Sequence, residues 1–131
     1  MTPTDLAAAL RAQAQGLHHL EAAAELLVSH ASFLRRSDFI EHVTCLATRS
    51  TDGVTVLAAI NWPATIASLN AGDLPCSGGE QRILRLAASI ADGIPVDLRD
   101  ALTGLDHHNI NLMITAVLQT SGSRPQHPSD P

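Results

Sequence analysis

Seven histidines, two cysteines and one Ser-Gly-Gly-Glu run are the residues of this 131-residue chain whose types could do chemistry. Histidine changes charge near neutral pH and is the commonest metal ligand. Four of the seven stand as the adjacent pairs His18-His19 and His107-His108. Neighbours on a helix diverge by about 100°, so neither pair can close on one ion. His42 and Cys45 could share a face, with Cys76 as a conceivable third ligand. No Cys-x-x-Cys or His-x-x-x-His supports that set, so no metal site is expected and Cys45 reads as a small packed hydrophobe. For nucleophilic catalysis Ser77 or Cys76 would need a His and an Asp within reach. Nothing in the spacing selects such a set, and no catalytic residue is assigned.

Absent residue types narrow the chemistry further. The chain has no lysine and no tyrosine, and its eight positive side chains are all arginine. A Walker A loop and pyridoxal phosphate chemistry each require a lysine, so both are excluded. No motif for any other cofactor stands out, and none is expected. Net charge is −5, unevenly spread. Residues 1–50 set four arginines against five acids, and residues 51–131 set four against eight. Phosphate contacts dominate nucleic-acid affinity, and only Arg35-Arg36 hints at a basic patch. That pair reads more simply as a complement to a helix C-terminus.

Ser77-Gly78-Gly79-Glu80 is a capping box, in which the serine hydroxyl and the glutamate carboxylate satisfy each other's free backbone N–H groups. Ser77, Gly78 and Gly79 would also be the residues to hold an anion or a nucleotide at a helix N-terminus. Extended to Arg82, and joined to Thr103-Gly104-Leu105-Asp106, the run resembles the signature helix and D-loop of ABC-type ATPases. That resemblance places Asp100 at the catalytic acid. Arg99, however, stands where the family has its magnesium-binding acid, and the nucleotide-binding lysine is missing. The likeness spans about 30 residues and is taken as coincidental, since short cap motifs arise readily without catalysis.

Residues 96–118 read as a short helix, a Gly104-Leu105-Asp106 turn and a longer helix, similar to a helix-turn-helix. DNA would be contacted by His107, His108, Asn109 and Asn111, asparagine being able to pair with adenine. Asp97, Asp100 and Asp106 against Arg99 alone oppose phosphate and disfavour that reading.

The elements that must hold these residues are mostly helical. Leucine and alanine dominate the apolar 45% of the chain, and aromatic residues make up 2%. Thr4 is the expected first N-cap, with Asp5 in the first turn. Leu6, Leu10, Leu17, Leu20, Ala24, Leu27, Ala31 and Leu34 then form a stripe at helical spacing, interrupted by Gln13. Gly16 makes it either one bent helix from Thr4 to Phe33 or two helices meeting there. Ser37-Asp38 opens a helical turn carrying Phe39 and Val43. β-branched runs around Asp52-Gly53 predict a small β-hairpin near residues 42–60. Asn61, Ser77, Asp97 and Asp106 cap four more helices, and Gly72, Gly93, Gly104 and Gly122 end them. The last carries a broad apolar face of Ile110, Leu112, Met113, Ile114, Val117 and Leu118. The expected class is mainly α, a helical bundle with that hairpin: one domain over residues 1–122 and a disordered tail at 123–131.

Near-heptad spacing from Leu6 to Leu34 further suggests a homodimer, with Leu10, Gln13 and Leu17 at the seam. Leu74–Glu80, Asp92–Val96 and Leu102–Asp106, with Leu34–Phe39 and Asn61-Trp62 upstream, resemble a group of small actinobacterial proteins. The resemblance implies a cytoplasmic, high-GC bacterial setting and no particular activity. With no apolar run of membrane-spanning length, the sequence reads as a non-enzymatic interaction or regulatory protein. Its partner would be another protein or its own copy, with no membrane and no cofactor.

Overall fold

The computed structural model describes residues 1–122. Expectations for residues 123–131 and for the side chain of Ala31 lie outside the described set. Seven helices and one two-stranded antiparallel sheet are present among the described residues.

Helix α1 runs Pro3–Ala14. Its cap is Thr2 rather than Thr4: Thr2 Oγ1 accepts from the Asp5 N–H at 3.1 Å, and the Asp5 carboxylate accepts from the Thr2 N–H at 2.9 Å. Pro3 then occupies the first turn, where its missing donor costs nothing. The apolar stripe does not continue as one rod. Gly16 adopts φ +88°, a left-handed turn that only glycine enters freely, and the chain folds back into α2, His18–Ser29. Arg11 on α1 then meets Glu25 on α2, Nε to Oε1 at 2.7 Å.

Helix α2 is the hub, packing on α1, α5 and α7. Ala22, Ala23 and Ala24 are all buried, and such small side chains let three neighbours approach one helix closely. A 3-10 turn over Ala31–Arg35 and the single turn α3, Ser37–Ile40, follow. They drive Phe33 and Phe39 into the core, both wholly buried with ring centres 5.5 Å apart. Burial of such a side chain contributes roughly 1.5–3 kcal/mol. Val43, expected on that turn, instead begins a strand.

The hairpin forms where expected. Strand β1, Val43–Ser50, pairs with β2, Gly53–Ile60, in an unbroken register from Val43 with Ile60 to Ser50 with Gly53. Thr51-Asp52 is the turn, and Gly53 supplies φ +124°. Helix α1 packs on β2.

Asn61 caps α4, Trp62–Ala71, through Oδ1 to the Ala64 N–H at 3.1 Å, and Gly72 ends it at φ +82°. Helix α5, Gly78–Asp92, opens on the Ser77/Glu80 box and closes at Gly93. Ile83, Leu84, Leu86, Ala87 and Ala88 form its buried face. Asp97 caps α6, Leu98–Thr103, and Asp106 caps α7, His107–Thr120, each by accepting the N–H three residues on. None of the described helices is long and apolar enough to cross a membrane.

Candidate interaction surface

The apolar face of α7 is broader than its neighbours can cover. Asn109, Met113 and Ala116 point into the core, at the four- and three-residue spacing of one helix stripe. Ile110, Ile114 and Val117 each lie one residue further on, about 100° around the helix. They stay exposed, Ile114 at 55% and Val117 at 56%. Helix α6 behaves the same way. It buries Ala101 and leaves Leu98 (57%) and Leu102 in solvent. Leu98 and Val117 share a shallow depression of about 260 Å³ with Leu86, Ile90, Val96 and Met113. Only Ser89, Thr120 and Ser121 bring hydroxyls to it. Full burial of a large aliphatic side chain is worth roughly 1.5–3 kcal/mol, and each of these, about half exposed, forgoes about half of that. Contiguous apolar patches of this kind mark recognition surfaces on soluble domains.

A polar cluster at the start of α5 holds the fold's joints together. Ser77 Oγ accepts from the Glu80 N–H at 3.2 Å, and Glu80 Oε1 accepts from the Ser77 N–H at 3.0 Å. Ser32 donates to the other carboxylate oxygen at 3.0 Å, tying the 3-10 turn to α5. The Ser77 N–H and then the two serine hydroxyls hold the Glu80 carboxyl below its ordinary value, against opposing desolvation. Arg36 forks onto Asp38 at 3.0 and 2.6 Å and lowers that carboxyl. The same guanidinium donates to Cys76 Sγ at 3.6 Å. Burial nonetheless pushes the Cys76 thiol up, because desolvation outweighs the nearby cation.

The residues expected to act stand as follows. Ser77, Gly78 and Gly79 do form a helix N-terminus, but the chain's own Glu80 carboxylate already sits there. A second anion would meet like charge. Asn109, expected at DNA, is 6% exposed and bonds through Oδ1 to His30 Nε2 at 2.9 Å, so it is not free to reach a base edge. His107, His108 and Asn111 are exposed around it. The self-association set is split by the turn at Gly16. Leu10 is 4% exposed inside its own chain's core, whereas Gln13 and Leu17 face solvent. Leu10 therefore cannot form a seam with a second copy. Arg35 and Arg36 stand at a helix end as expected, in the last turn and at the C-cap of the 3-10 helix, and the Arg36 side chain reaches on to Asp38 and Cys76. Cys45 lies exposed on β1 rather than packed, and no group of three or more metal-binding side chains occurs among the described residues.

Sequence reasoning missed the His30–Asn109 bond and the Ser32–Glu80 bond. They join residues 79 and 48 positions apart, and no local pattern announces them. The exposed half of α7 was within reach, since six large apolar residues in nine, from Ile110 to Leu118, exceed what one buried stripe needs. Compared with family models, with curated proteins and with solved structures, the chain matches none.

Proposed function

We propose that this is a non-enzymatic, cytoplasmic interaction protein with a regulatory role, and that it engages a protein partner through the α6–α7 face. One observation carries the reading: Leu98, Ile114 and Val117 are each more than half exposed, and Leu98 and Val117 line a depression whose surface is almost wholly apolar. Aliphatic recognition patches of this type suit the apolar face of a partner helix laid along them. The lysine- and tyrosine-free composition supports a role in binding rather than chemistry.

A photoreactive side chain at position 98 tests it in cells. Discrete protein adducts are expected, and they should vanish when Ile114→Glu and Val117→Glu are added. Both positions are exposed, so the thermal midpoint should move by no more than about 2 °C. Adducts that persist undiminished in the double variant would refute the assignment, as would their absence in the parent protein.

A further inference from the structure

We propose that the free edge of β1 is where two copies of this chain meet, pairing antiparallel about a two-fold axis with Leu46 opposite its own symmetry mate. The inference stands on β1 and does not depend on the α6–α7 face.

The backbone defines the edge. The Asn61 N–H donates to the His42 carbonyl at 2.8 Å, directly across the ladder, and the register continues Thr44 with Ala59, Leu46 with Leu57 and Thr48 with Thr55. Antiparallel bonding alternates along a strand. The even-numbered residues of β1 therefore turn N–H and C=O towards β2, and Val43, Cys45, Ala47 and Arg49 turn theirs outward. Helix α1 covers β2, whereas β2 is the only substantial neighbour of β1 among the described residues. Every residue from Thr44 to Ser50 is exposed.

Such an edge is normally blunted by lysine, proline or a bulge. The chain has no lysine, the strand has no proline and a single charge at Arg49, and its register with β2 is unbroken. Two-stranded ribbons are marginal in water without further strands or cover. A second β1 would extend this one to four strands. Aligning Leu46 with Leu46 pairs all seven residues from Val43 to Arg49 and closes about eight backbone bonds over a seam of about 24 Å. It puts Thr44 against Thr48, and it brings together two leucines that are each 62% exposed alone. Opposed side chains of this kind are the unit of sheet stabilisation.

Charge agrees with that alignment. Arg49 falls opposite Val43 of the other copy, two residues along the chain from its Glu41, and neither Arg49 nor Glu41 has an ion-pair partner within its own chain among the described residues. Setting Cys45 against Cys45 would pair only Val43 to Ala47, because Glu41 is helical at φ −56° and ψ −24°. Setting Ala47 against Ala47 would face Leu46 with Thr48 and carry Arg49 away from Glu41.

Light scattering on the full chain should give twice 13.8 kDa at micromolar concentration. Ala47→Pro removes an outward N–H and spares the bonds to β2, so the variant should be monomeric with an unchanged circular dichroism spectrum. Leu46→Lys alters a solvent-facing side chain and should weaken association by about tenfold or more, by placing like charges opposite each other. In a Cys45→Ser, Cys76→Ser background, Leu46→Cys should oxidise to a covalent dimer and Thr48→Cys should not. A monomeric parent protein overturns the pairing, as does a dimer that survives both Ala47→Pro and Leu46→Lys. Crosslinking at position 48 rather than 46 overturns the register. Ile114→Glu should leave the dimer intact; its dissociation by that change alone would move the interface to α7.

Discussion

Replacing Glu80 by alanine removes one side chain that joins three parts of the molecule. The carboxylate accepts from the Ser77 N–H at 3.0 Å and from the Ser32 hydroxyl at 3.0 Å, and it lies over the positive end of α5. Ser77 Oγ can still accept from the residue-80 N–H, so half of the box survives. The two lost bonds contribute half of their usual worth at a partly exposed site, about 0.5 kcal/mol each. The charge at the helix terminus adds about 0.3–1 kcal/mol. The sum is about 1.3–2 kcal/mol, which for a domain of this size lowers the thermal midpoint by roughly 5–7 °C. Glu80→Gln keeps an acceptor and loses the charge, so it should fall between the two. The folded-state carboxyl is held below its ordinary 4.5, so its contribution is complete above that value and lost as pH falls through the folded value. Melts followed by circular dichroism from neutral pH to about pH 3 should show the gap between parent and Glu80→Gln narrowing with acidification. A gap that stays constant over that range would mean the charge is not what the site uses. An alanine variant melting within about 1 °C of the parent would mean that the box does not hold α5 to the 3-10 turn.

Asn109→Leu should cost about 1–3 kcal/mol in urea unfolding, because it strands the His30 ring nitrogen at a part-buried joint. An unchanged midpoint would refute the bond as a structural tie. Phe33→Ala should cost about 3–5 kcal/mol by leaving a cavity beside Phe39, and a loss below about 1 kcal/mol would place the core elsewhere. Cys45 should react with a thiol reagent well before Cys76 at neutral pH, since Cys45 is exposed and burial raises the Cys76 thiol. Cys76 should quicken as pH rises, and equal rates in the folded protein would contradict its position.

Most of the helix boundaries were legible because they are local chemistry. Asn61, Ser77, Asp97 and Asp106 cap within three residues of themselves, and Gly72 and Gly93 end helices by entering the left-handed region. The hairpin was legible for the same reason, since Asp52-Gly53 and its β-branched flanks act over a few positions. Thr2 displaced Thr4 as the first cap because Pro3 fits the first turn and Asp5 completes a box with Thr2.

The composition and spacing thus determined a leucine- and alanine-rich helical chain with one hairpin, no lysine chemistry and well-marked helix ends. Only the tertiary structure decided which apolar residues are core. Periodicity supplies a face for α7 but not its width of cover, and the packing of α2 and α5 buries Met113 and Ala116 while leaving Ile114 and Val117 out. Likewise the stripe from Leu6 to Leu34 reads as one seam in sequence. The turn at Gly16 folds it onto itself, burying Leu10 and exposing Leu17. Burial depends on what approaches from far along the chain, and contacts such as His30 with Asn109 have no local signature by which a sequence could declare them.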